Sequence, residues 1–261
     1  MYRYNFAMYV HDIDRQIREF SVPIADSANV AAMGFRDLDG TGANDWAPVR
    51  GNGKITWSTQ TFAENQNANS LKYGNVFNFW IDCNVVPADG MGSIGLYKPG
   101  TLPCLTVVGR MPGSTFFPTS YTIVDGDLIS GDQCDLFYDE GDHMVIGNGE
   151  SQRAVVEFKS TAPATTPVMK FQLDSRVTRS GLSLVIDMYN YAEGKWISVY
   201  GGVATPADNL TTSQVATPAA FIKADKEVKA RVSFGPINDE DPAQDGWTHE
   251  IDMARWKFQN F

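Results

Sequence analysis

The sequence has no long hydrophobic run, few histidines and few cysteines. No stretch of 18 or more apolar residues occurs among the 261, so no transmembrane helix is predicted. The three histidines have no metal-motif spacing, and a zinc site would need ligands from distant segments; they are His11, His143 and His249. Three cysteines allow at most one disulfide and leave the redox compartment undecided; they are Cys83, Cys104 and Cys134.

Basic residues are also scarce. The chain holds 21 Lys and Arg against 31 Asp and Glu, which gives a net charge of −10 and a pI near 4.7. Residues 1–111 carry a net −1 and residues 112–261 a net −9, with no Lys or Arg between Arg110 and Arg153. Nucleic acids and anionic membrane surfaces attract basic patches, so this composition argues against both as partners.

Complete catalytic motifs are missing as well. The sequence has no Gly-x-Ser-x-Gly elbow and no phosphate-binding loop of the Gly-x-x-x-x-Gly-Lys type. Glu250-Ile251-Asp252-Met253 is similar to a strand of retaining glycosidases, which place a second glutamate on the same strand face. Here Ala254, Arg255 and Trp256 follow instead, so the carboxylate pair needed for retaining hydrolysis is incomplete. We therefore expect a protein that is not an enzyme.

Alternation of apolar and polar residues indicates strands along most of the chain. The clearest run extends from Leu71 to Val85, and Gly- and Asn-rich turns such as Gly51-Asn52-Gly53 separate the runs. The segment His11–Phe20 is the nearest to a helix, although a polar connection between strands fits it equally. We predict an all-β fold of two tandem antiparallel β-sandwich modules, jelly-roll-like, over residues 1–111 and 112–261. A single larger sandwich is the alternative.

Several segments resemble uncharacterised secreted β-sandwich proteins of planctomycete-type bacteria. The resemblance lies in Tyr2-Arg3-Tyr4 with Phe20–Ile24, Asn69–Asp82, Ile94–Gly100, Val228–Pro236, Asp245-Gly246-Trp247, and Ile251-Asp252 before Trp256. It implies an extracellular or cell-surface location and transfers no catalytic residue. The acidic stretch Asn238–Asp245 departs from the pattern, where apolar residues would be expected.

Two acidic loops are candidates for calcium. In the first, alternating carboxylates and a following glycine can wrap a hard cation; its candidate ligands are Asp37, Asp39, Asn44 and Asp45. Thr41 and Pro48 stand at two ligand positions of an EF-hand, so that motif is excluded. The second loop offers Asp239, Glu240, Asp241 and Asp245. Solvated turns with local hydrogen bonds from their Asp and Asn side chains are the alternative for both loops.

Trp80 is the candidate ligand-binding residue. It lies beside Asn78 and Asp82 on the polar face of an alternating strand, where an indole can serve as a platform for a sugar ring. The alternative is that a second layer of the sandwich covers it.

The leading hypothesis from the sequence is a non-enzymatic extracellular structural or surface-assembly protein. In this reading the chain forms part of a filament, coat or surface layer, is stabilised by Ca²⁺, and associates with itself or with other surface proteins through strand edges. The alternatives are a carbohydrate-binding module that recognises polysaccharide, and a viral jelly-roll coat subunit. No nucleic acid and no membrane insertion are expected.

Overall fold

Antiparallel strands make up nearly all the regular structure of the computed structural model, which describes residues 1–163, 167–237 and 246–258. The chain forms two compact units, Met1–Ser114 and Thr115–Phe261. Each unit contains two antiparallel sheets, and the predicted all-β class with tandem antiparallel β-sandwich modules is confirmed. No helix within the described ranges is long and apolar enough to cross a bilayer.

The first unit consists of a three-stranded and a five-stranded sheet. The three-stranded sheet has the order β1-β6-β3, with β1 Tyr2–Tyr9, β3 Val30–Arg36 and β6 Val76–Cys83. The other sheet has the order β4-β5-β2-β7-β8, with β2 Ile17–Pro23, β4 Pro48–Gly51, β5 Lys54–Ser58, β7 Pro87–Leu96 and β8 Cys104–Pro112.

Aromatic side chains from both sheets form the centre of the first unit. Phe20 of β2 stacks on Trp57 of β5 at 5.8 Å between ring centroids, and Phe79 of β6 lies 5.1 Å from Phe20. All three are almost fully buried. Cys83, at the end of β6, is a buried free thiol, as expected for a small apolar core residue.

The second unit pairs a five-stranded with a six-stranded sheet. The five-stranded sheet has the order β10-β13-β18-β15-β16, with β10 Ser120–Asp125, β13 Ala154–Thr161, β15 Leu182–Asn190, β16 Lys195–Val203 and β18 Glu227–Pro236. The six-stranded sheet has the order β11-β12-β19-β14-β17, and β9 also pairs with β19; its strands are β9 Thr115–Phe116, β11 Asp127–Ser130, β12 Met144–Gly147, β14 Met169–Val177, β17 Asn209–Val215 and β19 Thr248–Lys257. Two short 3-10 helices span Gln133–Leu136 and Pro218–Phe221.

The core of the second unit again joins its two sheets through aromatic rings. Phe158 of β13 lies 6.2 Å from Phe171 of β14, and Phe171 meets Trp256 of β19 edge to face at 4.9 Å. Trp256 and Phe258 point inward and are buried, as the alternation of the last strand predicts.

Residues with positive φ locate several turns between the strands. Asn52 and Gly53 have φ of 52° and 70° in the β4–β5 hairpin, as a tight two-residue turn requires. The run Leu71–Val85 is long enough for a bend to be expected near Gly74, and the structure has one there: Gly74 has φ of 81°, and the regular strand β6 starts at Val76. The helix considered over His11–Phe20 is absent, because Ile17 onward pairs as β2.

Candidate functional site

The outer face of the five-stranded sheet in the second unit carries aromatic and charged side chains in adjacent rows. In one row Glu157, Arg231, Asp187 and Ser198 lie opposite one another on β13, β18, β15 and β16. In the next row Tyr189 of β15 lies opposite Trp196 of β16. We define the Tyr189–Trp196 face by six half-buried residues of these rows: Glu157, Asp187, Tyr189, Trp196, Lys229 and Arg231.

The aromatic rings of this face contact one another directly. Tyr189 and Trp196 meet edge to face, with 5.2 Å between centroids and 76° between ring planes. Tyr191 packs on Tyr189 in the same manner at 4.9 Å, and its hydroxyl donates to Glu227 at 2.8 Å. Strand alternation places these rings away from the core, because Leu184, Ile186 and Met188 occupy the inward positions of β15.

A cation accompanies each of the two central rings. The Arg231 guanidinium carbon lies 4.2 Å from the centroid of Trp196, and Lys229 Nζ lies 5.5 Å from that of Tyr189. Both distances are within the range of cation–π attraction. Arg231 also donates to Glu157 Oε1 from Nη2 at 2.6 Å and from Nε at 3.1 Å. The guanidinium is therefore fixed between a carboxylate and an indole before any ligand arrives.

Asp187 supplies a carboxyl group in the middle of the face. Burial raises its pKa, and the neighbouring Arg231 and a hydrogen bond with Ser198 oppose that rise. Donors from Arg231 and Lys229 and acceptors from Glu157 and Asp187 thus surround two partly exposed rings. Such a surface suits a molecule with an apolar side and many hydroxyl groups.

Trp80, the candidate predicted from the sequence, lies on a different face in the first unit. It occupies the centre of β6, opposite Asn5 of β1 and Gly34 of β3, and is half-buried. A Cβ atom at Gly34 would overlap the six-membered ring of Trp80, so the indole packs on the glycine backbone. Beside it, Arg3 Nε donates to Asp82 Oδ1 at 2.7 Å, and this bond lowers the pKa of Asp82. Trp80 as a sugar platform stays a prediction.

The first loop predicted to bind calcium is held by hydrogen bonds among its own residues and by one from Asn69. Asp37 accepts from the backbone N–H of Asp39 at 3.1 Å and from Asn69 Nδ2 at 2.7 Å. Asp39 accepts from Thr41 N at 2.6 Å and Asn44 Nδ2 at 2.9 Å, and these bonds lower its pKa, the one from Asn44 most. These local bonds are those of the solvated-turn alternative.

The remaining calcium candidates lie elsewhere. Asn44 and Asp45 line a polar depression together with Asn65, Asn67 and Asn69. Asp239, Glu240, Asp241 and Asp245 fall outside the described residues. Over the described part of the chain, no three His, Cys, Asp or Glu side chains are already gathered as a metal-ligand set. Calcium at both loops stays a prediction.

Sequence reasoning missed the Tyr189–Trp196 face, although one signal was present. The sequence Leu182–Tyr191 alternates, and Tyr189 and Tyr191 stand at positions between its apolar residues. Aromatic residues at outward positions are a sign of a binding face. The approach of Arg231 carried no local signal, because it belongs to a strand about 40 residues further along the chain.

Comparisons with known proteins match solved structures at low identity and low TM-score. No protein-family model matches the chain, and no curated protein matches it. TmCBM61, solved in complex with β-1,4-galactotriose, is 9% identical with a TM-score of 0.35, covering 55% of this chain and 91% of that one. A mutant of a family 29 carbohydrate-binding module is 14% identical with a TM-score of 0.31, covering 52% and 91%. CBM29_1 from Piromyces equi is 10% identical with a TM-score of 0.28, covering 54% and 91%. All three TM-scores lie below 0.5, and the fold assignment rests on the strands and sheets of the chain itself.

Proposed function

We propose that this protein is a non-catalytic carbohydrate-binding protein whose Tyr189–Trp196 face holds the sugar. The observation that carries the proposal is the edge-to-face pair of Tyr189 and Trp196, half-buried on an outer sheet face. An aromatic ring offers a flat apolar surface to the C–H side of a pyranose. The charged groups around it can exchange hydrogen bonds with hydroxyls while the rings contact the carbon skeleton.

The fixed ion pair of this face favours a neutral glycan. Arg231 is compensated by Glu157, and Lys229 lies 3.5 Å from Glu227, so neither cation has to find its counter-charge on the ligand. A polysaccharide partner and an extracellular or cell-surface location belong to this proposal. The surface-assembly role and self-association stay predictions from the sequence, and the aromatic face favours sugar binding over them.

The test is a comparison of Trp196→Ala with Trp80→Ala in polysaccharide pull-down and calorimetry. Both variants remove a half-buried indole from an outer sheet face, which makes each the matched control of the other. We expect Trp196→Ala to weaken binding at least about tenfold, as loss of a central aromatic anchor does, and Trp80→Ala to bind like the wild type.

Three results would contradict the proposal. If Trp80→Ala abolishes binding and Trp196→Ala does not, the sugar site lies in the first unit. Equal affinity of both variants and the wild type would exclude both faces as the sugar-binding site. A wild-type protein that binds no member of a broad glycan panel would overturn carbohydrate binding itself.

A further inference from the structure

The first unit contains a polar depression with a volume of about 750 Å³. Its walls come from the loop between β3 and β4, and from the end of β5 with the segment that leads to β6. Sites for small molecules commonly measure about 300–1,000 Å³, so the depression has room for a short saccharide. We call it the amide depression, after the five amide side chains in its lining: Asn44, Gln60, Asn65, Asn67 and Asn69.

Buried aromatic side chains hold the walls of the amide depression in place. Trp46 Nε1 donates to the carbonyl oxygen of Asn69 at 2.6 Å, and the Tyr97 hydroxyl donates to the carbonyl oxygen of Asn65. Trp46 is fully buried and stacks on Phe35 with 5.7 Å between ring centroids. The core of the first unit therefore positions both asparagines, and folding rather than a ligand sets the shape of the depression.

Hydrogen bonds among the amides orient their side chains. Asn65 Nδ2 donates to Gln60 Oε1 at 2.8 Å, and Asn65 Oδ1 accepts from the backbone N–H of Asn67 at 2.9 Å. On the opposite side of the chain segment, Asn69 Nδ2 donates to the carbonyl oxygen of Asn44 at 3.2 Å. The Asn65 amide is thus fixed at both ends, and the amides of Gln60 and Asn69 are fixed at one end each.

Donors and acceptors for a ligand remain on the same walls. Within the described part of the chain, no hydrogen bond engages Gln60 Nε2, Asn69 Oδ1 or either end of the Asn67 side chain. The hydroxyl groups of Ser58 and Thr59 line the depression as well. A primary amide presents a donor beside an acceptor, which matches two neighbouring hydroxyl groups, because each hydroxyl can both donate and accept.

The charges in the lining compensate each other. Among the described residues that line the depression, Asp45 and Lys72 are charged and have opposite signs. A ligand with a net charge therefore gains no general advantage there. These lining residues include no aromatic ring, so the depression contacts a ligand through its polar groups and not through an apolar side.

We propose that the amide depression is a second saccharide site, which binds the hydroxyl groups at the end of a neutral glycan chain. A bounded depression takes a terminal sugar, whereas the open Tyr189–Trp196 face suits the flat side of a pyranose. The site goes beyond the proposed function, because it lies in the first unit and uses hydrogen bonds in place of ring contacts. The choice of a sugar as its ligand rests on the chemistry of the amides alone.

The test is calorimetric titration of full-length Trp196→Ala with neutral mono-, di- and trisaccharides, so that the Tyr189–Trp196 face contributes little. We expect one site per chain. Asn67→Ala in this background is expected to weaken binding at least about fivefold, because hydrogen bonds from both ends of an amide are lost. Gln66→Ala is the matched control, since it removes an exposed amide of the same segment that does not line the depression, and binding should be unchanged.

The same two substitutions are compared in the wild-type chain, which keeps the test valid if Trp196→Ala destabilises the second unit. The proposal is overturned if no saccharide of the panel binds, if Asn67→Ala binds as tightly as its parent, or if Gln66→Ala weakens binding equally. Polysaccharide pull-down of the wild type against Trp196→Ala reports on the Tyr189–Trp196 face. Failure of that face and failure of the amide depression are therefore distinguishable.

Discussion

His249 is a titratable side chain placed where an apolar one would be expected. It is fully buried on β19, its ring centroid lies 3.5 Å from that of Phe234, and neither ring nitrogen has a hydrogen-bond partner among the residues that the structure describes. Burial lowers its pKa well below the ordinary value of 6.5, so the folded protein holds it neutral. Below pH 6.5 the unfolded chain binds a proton at this histidine that the folded protein does not bind. The free energy of unfolding therefore decreases as the pH falls.

We expect His249→Phe to stabilise the second unit and to reduce its sensitivity to acid. Removing two buried nitrogens without partners is expected to raise the free energy of unfolding by about 1 kcal/mol at pH 7. The loss of stability between pH 7 and pH 5 becomes smaller than in the wild type. Urea unfolding at both pH values measures the difference, and an unchanged loss in the variant would contradict this account.

Individual side chains were predictable from the sequence where strand alternation decides their direction. The inward Trp256 and the outward Trp80 follow from position within a strand, and the structure agrees for both. The buried position of His249 was not predictable, because it depends on a ring contact with Phe234 of another strand. The hydrogen bonds that close the loop after Asp37 also involve Asn69, a distant residue of the chain.

The packing of Trp80 of β6 on Gly34 of β3 can be tested by adding a methyl group at Gly34. The structure leaves no room for a Cβ at Gly34, so Gly34→Ala must displace the indole. We expect a loss of about 1–3 kcal/mol in the free energy of unfolding and a red-shifted tryptophan emission. Gly201→Ala on β16 is the control, because a Cβ there meets no atom of the described residues within 4 Å. This substitution should change the free energy of unfolding by less than about 0.5 kcal/mol.

The positions of strands along the chain were easier to predict than the order of strands within a sheet. Alternation located most strands of the second unit, whereas the order β10-β13-β18-β15-β16 brings together segments distant in sequence. That order places Arg231 between Glu157 and Trp196 and so creates the Tyr189–Trp196 face. Pairing of distant strands leaves no periodic signal within any one of them, which is why the face escaped the sequence.

The two units give a prediction for the chain as a whole. The core of the first unit is built from residues between Tyr4 and Met111, and two sheets enclose it. A unit with its own core is expected to fold alone. A fragment of residues 1–114 should show β-sheet circular dichroism and a cooperative thermal transition. A fragment with the spectrum of a random coil would contradict this, and the fragment of residues 115–261 is the companion measurement.

The ion pair between Arg231 and Glu157 has a consequence for the thermodynamics of the whole protein. A free arginine side chain loses considerable rotamer entropy when a ligand immobilises it. Here folding has already imposed that loss, since the guanidinium is held by Glu157 and lies against Trp196. The entropic cost of ordering the site is thereby moved from association to folding, so the proposed sugar ligand meets side chains that are already held in place.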